Sequence, residues 1–218
     1  MIILKKIVFL FEILTAVLLV LFTFVSSIKI VYNFKPLYYY DIVDLNIEES
    51  SNLSLTSIKS NYSYIIDYLH KNNTNKFKLP TLSSSKDAII HFAEVRHVFK
   101  SLNFIFLCSI FLLILTIIIT SKFKQFLYLK IAGIMLLALP SALLPLSLIN
   151  FDKTFTIFHN IVFHNTLWLF DPLKDPVILM LPQKFFMHCF VFIIILSFTS
   201  GVIYLLAYKM LLKKFTEQ

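Results

Sequence analysis

The chain's six histidines are its residues best suited to chemistry near neutral pH, because the ordinary pKa of imidazole is about 6.5. The segment SSSKDAIIHFAEVRHVFKSL has serines that can cap a helix and Asp87 in its first turn. On this helix Glu94 and His97 lie three residues apart and share a face, so they can hydrogen-bond or share a charge. His91 lies about 240° from His97 around the helix, so only one of the two can face a given site.

A second histidine pair occurs in FDKTFTIFHNIVFHNTLWLFDPLKDPVILMLPQKFF. His159 lies beside a predicted apolar helical face, and His164 is about 140° away from it around the same helix. Trp168 is the chain's single tryptophan, and Asp171 precedes a proline, which is a turn or cap signal. By composition alone the segment is also typical of an amphipathic hairpin at a membrane surface, where a lone histidine is more often structural than catalytic. The apolar face consists of Phe155, Phe158, Val162 and Phe163.

Sequence motifs for several other kinds of site are absent. The chain has no HExxH, no CxxC, no nucleophile elbow with paired glycines and no phosphate-cradling glycine loop. We find no pair of carboxylates at metal-ligand spacing, and we expect Cys108 and Cys189 to act as small apolar residues within apolar stretches. The sequence therefore predicts no metal site and no cofactor.

Composition indicates a membrane protein. Hydrophobic residues make up 58% of the 218 and charged residues 15%, and the mean hydropathy is +0.82, whereas a soluble domain carries about 25% charged residues. Four apolar stretches, about 7–28, 102–120, 131–148 and 187–208, are long enough to cross a bilayer as helices. The predicted fold is an all-α membrane protein with four transmembrane helices, forming a single integral membrane domain over residues 1–218. A membrane, and not nucleic acid, is then the expected partner of this basic chain.

Lysines near the helix ends predict the orientation of the chain. Eight of them, with two glutamates, give one side of the membrane +6 of the formal net charge of +8. We predict that this side is the cytoplasm and holds both termini, because cytoplasmic loops are enriched in lysine and arginine. A long helical segment, about 29–101, and a shorter interfacial one, about 149–186, then lie outside. The eight lysines are Lys5, Lys6, Lys122, Lys124, Lys130, Lys209, Lys213 and Lys214.

The two outer segments together resemble the lipoprotein intramolecular transacylases, small four-span membrane proteins of low-GC Gram-positive bacteria. In the first outer segment the match is Glu94 followed by His97, just before the second span. The resemblance covers the whole chain in topology and is dense in motifs within the two outer segments. Its strongest part is the order and spacing of Phe158-His159, Phe163, Asn165, Trp168, Asp171-Pro172, Asp175, Pro182 and Phe185-Phe186.

The resemblance implies acyl migration on bacterial lipoproteins at the outer leaflet of the cell membrane. The sn-2 acyl chain of a diacylglyceryl cysteine would move to the α-amino group of that cysteine, giving a lyso-form, N-acylated lipoprotein. No metal and no other acyl donor is implied, and the partners are diacylglyceryl lipoprotein N-termini and membrane lipids. We predict that His97 and His159 are catalytic, one taking the amine proton and the other assisting the oxyanion or the leaving alkoxide. Predicted supporting or substrate-binding residues are Glu94, Asn165, Trp168 and Asp171.

Two alternatives from other classes remain open at this point. The chain could be a non-enzymatic sensor or assembly protein whose outer segments bind a partner, with histidines that bind a metal or sense pH. It could also be a lipid hydrolase that uses the same two histidines on water. Acyl transfer to an amine, release of fatty acid and stable binding without turnover distinguish the three. The sequence does not predict the oligomeric state.

Overall fold

The computed structural model describes residues 2–70 and 76–216, and within these ranges all of the regular structure is helical. Neither range contains a strand, as the all-α prediction requires. The helices in chain order are α1 (Ile2–Asn33), α2 (Lys35–Asp44), α3 (Ile47–Ser51), α4 (Leu55–His70), α5 (Lys86–Lys122), α6 (Leu127–Ile149), α7 (Phe151–Phe163), α8 (Val177–Met180) and α9 (Gln183–Thr216).

Four of these helices, α1, α5, α6 and α9, are long and apolar enough to cross a membrane. Each contains one of the four apolar stretches of the sequence, so the prediction of four apolar helices is confirmed. Helix α5, with 37 residues, is about 55 Å long at 1.5 Å per residue. It therefore exceeds a hydrocarbon core of about 30 Å, and its first turns, which carry His91 and Glu94, can lie outside that core.

The chain divides into two compact units. The first comprises the described residues of Met1–Lys29, Phe104–Pro145 and Val191–Gln218, and the second comprises those of Ile30–Asn103 and Leu146–Phe190. All four long helices contribute residues to both units. The histidine-bearing segments belong to the second unit.

In the first unit, helices α6 and α9 approach closely at the chain's two glycines. A Cβ atom on Gly201 would lie 3.0 Å from the carbonyl oxygen of Gly133 and 3.1 Å from Leu136 Cβ. Small residues let helix backbones come this near in a membrane, where packing and not hydrophobic burial drives association. Glu12 in α1 is buried, and its Oε1 accepts the Leu127 N–H at 2.6 Å, which caps the start of α6.

The second unit is built around an aromatic core. Tyr38 is fully buried, stacks on Tyr62 with ring centroids 3.7 Å apart, and donates its hydroxyl to the Met180 carbonyl oxygen at 2.7 Å. Phe77 stacks on Phe92 of α5 at 4.1 Å. Stacked rings bury large apolar areas in defined geometry, so this core holds α2, α4 and α5 together. The buried face of α4 consists of Ile58, Asn61, Tyr62, Ile65, Ile66, Tyr68 and Leu69.

Candidate active site

Two histidines from different segments meet in the second unit. The ring centroids of His91 on α5 and His159 on α7 are 6.0 Å apart, with the rings inclined by 34°. His91 is 7% exposed and His159 is 9% exposed. Buried ionisable groups in contact are candidates for a functional site, because burial away from water changes their proton affinity.

A buried carboxylate holds the start of α5. Ser85 caps the helix by accepting the Ala88 N–H with its Oγ at 3.1 Å. Asp175, which follows α7 in the chain, accepts the Ser85 N–H at 2.6 Å and the Ser85 hydroxyl at 2.8 Å. These two bonds fasten α5, less than two turns before His91, to the segment after α7.

Helix α7 places His159 near its C-terminal end. The helix starts after Asn150, whose side chain accepts the Lys153 N–H at 2.9 Å, and it ends at Phe163, just before His164, which has a left-handed φ of 55°. Within α7, His159 is buried while Phe158 beside it is 53% exposed. The predicted apolar face therefore does not pack inward as a unit, and the side chain turned inward is the histidine.

Aromatic rings surround the histidine pair. Phe163 and Phe170 lie edge-on to His91, with centroid distances of 4.7 and 5.5 Å. Trp168 lies 4.7 Å from His159, and its indole N–H donates to the Asn165 carbonyl oxygen at 2.9 Å. Such walls limit the access of water, which strengthens electrostatic interactions within the site.

A backbone hydrogen bond assigns the two ring nitrogens of His159. Its Nδ1 lies 2.8 Å from the Phe155 carbonyl oxygen. Because a carbonyl oxygen can only accept, Nδ1 carries the hydrogen, and Nε2 of the neutral ring has the lone pair. Burial lowers the pKa of His159 from 6.5, and the hydrogen bond to Phe155 opposes this only in part. At neutral pH His159 is therefore unprotonated at Nε2 and can act as a base.

A carboxylate lies beside the other histidine. Glu94 Oε2 is 3.9 Å from His91 Nδ1, and both atoms are buried without a hydrogen-bond partner among the described residues. The other oxygen of Glu94 accepts the Asn165 side-chain N–H at 2.9 Å. Asn165 is itself fixed, because its side-chain oxygen accepts the Leu167 N–H at 3.0 Å. The arrangement leaves Glu94 Oε2 and His91 Nδ1 able to accept hydrogen bonds from a bound molecule.

The structure brings four of the six predicted site residues together and leaves two elsewhere. His159, Glu94, Asn165 and Trp168 lie in one cluster. His97 is on α5 but exposed, and no contact joins it to the cluster in the described part of the chain. Asp171 is also exposed and acts within its own turn, where it accepts the Leu173 N–H at 3.0 Å and lies 3.8 Å from the Lys174 ammonium.

The structure places His91, and not His97, beside His159 and Glu94. Both histidines are three residues from Glu94, one before it and one after, so spacing to the carboxylate does not separate them. A signal was present in the pattern around His91. The buried positions Ala88, His91 and Phe92 lie on one side of α5, whereas the side chains of Ile90 and His97 are exposed.

A second ionisable pair lies elsewhere in the same unit. His188 Nδ1, near the start of α9, is 2.8 Å from Oδ1 of the fully buried Asp41 on α2. Burial raises the pKa of the Asp41 carboxyl, the hydrogen bond and charge of His188 lower it, and Asp44 raises it further. The pairing of His188 with Asp41 is not predicted from the sequence. The only sequence signal at this place is the spacing of Asp41 and Asp44, which are three residues apart, as i and i+3 of a helix.

The four long apolar helices place the chain in the class of multi-pass helical membrane proteins. Its buried histidine pair lies in the unit that carries the shorter helices. The sequence profile of the lipoprotein intramolecular transacylase Lit matches residues 13–186, most of the chain. The chain belongs to the Lit family, which confirms the resemblance found in the sequence. The family name is that of an acyltransferase whose substrates are lipoproteins. No curated protein sequence matches the chain significantly.

Solved structures agree with this assignment. The chain is similar to the membrane-integral lipoprotein intramolecular transacylase Lit from Bacillus cereus, with a TM-score of 0.94 and 31% identity over 98% of this chain and 100% of that one. Two further structures of the Bacillus cereus protein carry a histidine replaced by arginine or by alanine. Their TM-scores are 0.88 and 0.89, each at 30% identity over 99% of this chain, covering 96% and 98% of theirs.

Proposed function

We propose that this chain moves the sn-2 acyl chain of a diacylglyceryl lipoprotein to the α-amino group of the N-terminal cysteine. The observation that carries the proposal is the buried pair of His91 and His159, with Glu94 held beside it by Asn165. In a family of lipoprotein transacylases, a site of paired imidazoles and one carboxylate suits proton transfer during aminolysis of an ester. The product is a lyso-form, N-acylated lipoprotein.

The reaction needs a proton to move from nitrogen to oxygen. The amine nitrogen forms a bond to the ester carbonyl carbon, the bond from that carbon to the sn-2 oxygen breaks, and the amine proton ends on that oxygen. An α-ammonium group has a pKa of about 7.7–8.0 and first releases one proton to water to give the neutral amine. His159 Nε2 takes a second proton from the nitrogen as the amine attacks and passes it to the sn-2 oxygen, because its Nδ1–H is already held by Phe155.

His91 and Glu94 act on the same substrate group and on the charge that develops. The Glu94 Oε2 and His91 Nδ1 atoms, 3.9 Å apart, accept N–H groups of the substrate ammonium. In that tautomer His91 carries its hydrogen on Nε2, which donates to the oxyanion of the tetrahedral intermediate. Asn165 keeps the carboxylate in place, and Trp168 packs against His159. This assignment puts His91, and not His97, in the second catalytic role.

The substrate carries both reactants, which explains how a small site suffices. Amine and ester belong to one molecule, so the enzyme only has to orient them, and proximity contributes strongly to such rates. We propose that both termini are cytoplasmic and that the site lies at the outer leaflet. The lysine distribution supports this orientation, and the mature lipoprotein presents its acylated cysteine there.

Purified protein and a synthetic diacylglyceryl cysteinyl peptide test the proposal. Transfer within the peptide leaves its mass unchanged, and tandem mass spectrometry locates the acyl group on nitrogen. A lighter peptide together with free fatty acid would instead identify a lipid hydrolase. An unchanged peptide, with protein shown to be folded, would overturn the enzyme assignment and favour a sensor or assembly role.

A further inference from the structure

A cluster of metal-ligand side chains lies apart from the histidine pair of the proposed active site. Asp41 and Asp44 are one turn apart on α2, and His188 is near the start of α9. Each residue offers one ligand atom, an imidazole nitrogen or a carboxylate oxygen, and these three atoms lie within 4.8 Å of one another. A single ion could therefore contact an imidazole nitrogen and two carboxylate oxygens.

The buried carboxylate of Asp41 is incompletely satisfied. Asp41 is fully buried, yet its Oδ2 has no hydrogen-bond partner among residues 2–70 and 76–216, while Oδ1 is 2.8 Å from His188 Nδ1. A buried charge is costly unless it is paired on all sides or coordinates a metal. The hydrogen bond with His188 involves Oδ1 only and leaves the second oxygen of the carboxylate without compensation.

The second carboxylate of the cluster, that of Asp44, brings a further negative charge to the same place. Asp44 is exposed, so it is accessible to an ion from solvent, and its Oδ1 accepts the Tyr40 hydroxyl at 3.2 Å. Two aspartates a turn apart repel each other when both are ionised. A dication would relieve that repulsion and would also contact the free oxygen of Asp41.

We propose that Asp41, Asp44 and His188 bind one divalent transition-metal ion, with water completing its coordination. The ion replaces the hydrogen that His188 Nδ1 now shares with Asp41, as metals commonly do when they bind imidazole. One nitrogen and two carboxylate oxygens suit Zn²⁺, Co²⁺ or Mn²⁺, whereas Mg²⁺ and Ca²⁺ prefer oxygen ligands alone. Bound there, the ion links α2 to α9 within the second unit. The site is independent of the proposed acyl transfer.

The direct test is equilibrium dialysis of the untagged, detergent-solubilised chain against Zn²⁺ at about 10 µM free ion, with elemental analysis of the protein. We expect about one equivalent bound, unchanged by millimolar Mg²⁺. Asp44→Asn is the main variant, because an exposed aspartate can be replaced without burying an unpaired group, and His188→Gln is the second. Both should lose most of the bound zinc, with folding checked by circular dichroism.

Two control variants address binding by exposed surface groups. Asp152→Asn and His164→Gln alter an exposed carboxylate and an exposed imidazole of the same unit, and both should keep the wild-type stoichiometry. Co²⁺ should give visible absorption bands in the wild type that Asp44→Asn removes. No bound zinc in the wild type, or full binding by Asp44→Asn, would overturn the metal site, as would displacement by Mg²⁺. Because the readout is bound metal, its failure leaves the acyl-transfer proposal unaffected.

Discussion

At the scale of single residues, the hydrogen bond from His159 Nδ1 to the Phe155 carbonyl oxygen decides what the site can do. It fixes the tautomer of a buried imidazole and leaves Nε2 as the basic atom. Glu94 is fixed in a similar way, since Asn165 holds one oxygen and leaves the other toward His91. His159 and Glu94 thus each have a neighbour that orients them, which is what a preorganised site needs.

The lowered pKa of His159 predicts a pH-dependent stability. The ring is protonated more readily in the unfolded chain, with a pKa of about 6.5, than in the folded one. Stability from this group is therefore complete above about pH 6.5 and is lost as pH falls through the folded-state pKa. Thermal unfolding between pH 7.5 and 5 should show a declining midpoint, and the decline should be shallower in His159→Gln.

The control for this prediction is His164→Gln, which alters an exposed histidine five residues along the chain. It should keep the wild-type dependence on pH. Equal declines in His159→Gln and the wild type would show that His159 does not titrate with folding.

At the scale of elements, the site depends on joining α5 to the segment after α7. Asp175 makes this junction with two hydrogen bonds to Ser85. Neither helix would place its histidine correctly by its own packing, because His91 and His159 come from segments far apart in sequence. The contact of Phe163 and Phe170 with His91 completes the junction.

Removal of the Asp175 carboxylate should loosen this junction. We expect Asp175→Ala to lower the free energy of unfolding by about 1–3 kcal/mol, because it leaves the partly buried N–H and hydroxyl of Ser85 without their acceptor. Acyl transfer should fall as well, since His91 moves with α5. Denaturation curves and the peptide assay measure the two effects. Asp171→Ala, an exposed aspartate that also precedes a proline, is the matched control and should lower stability less, because its bond to the Leu173 N–H is exposed to solvent. Equal effects of the two substitutions would contradict the role given to Asp175.

The contact between α6 and α9 gives a second prediction at this scale. A side chain on Gly201 would meet the Gly133 carbonyl oxygen and Leu136, so Gly201→Leu should push the helices apart and lower the thermal midpoint. Thr199→Leu, at an exposed position of the same helix, should leave it nearly unchanged. Similar midpoints for both variants would show that the close approach is not needed.

The sequence predicted the long helices, but it did not predict which histidine of α5 packs beside Glu94 and His159. Apolar length was enough to predict the four long helices. The choice between His91 and His97 was different, because both are three residues from Glu94. Rings from the second segment pack on His91, and nothing in the periodicity of α5 specifies that tertiary contact.

At the scale of the whole molecule, the charge distribution and the family both bear on the side of the membrane that the histidine pair faces. The lysine-rich turn before α6 and the lysine-rich end of α9 carry much of the net charge of +8, and such residues favour the cytoplasmic side. A lipoprotein transacylase has to meet its substrate where the acylated cysteine resides. Both considerations predict that the histidine pair lies on the other side.

Labelling in intact cells tests this orientation. Cysteine introduced by Glu49→Cys, at an exposed position on α3, should react with a membrane-impermeant maleimide before lysis. Gln125→Cys, in the turn between α5 and α6, should react only after the membrane is opened. The wild type, whose Cys108 and Cys189 are partly buried, supplies the background. The reverse pattern would contradict the proposed topology.

The most direct test of the central claim is mass spectrometry of lipoprotein N-terminal peptides from a strain that lacks other N-acylation and expresses this chain or its variants. Wild type and His97→Ala should yield lyso-form, N-acylated termini. His91→Ala and His159→Ala, present in the membrane at wild-type levels, should leave diacylglyceryl termini, with rates lower by about 10²–10⁴-fold. Unmodified termini with the wild type, or full conversion by His91→Ala or His159→Ala, would contradict the account.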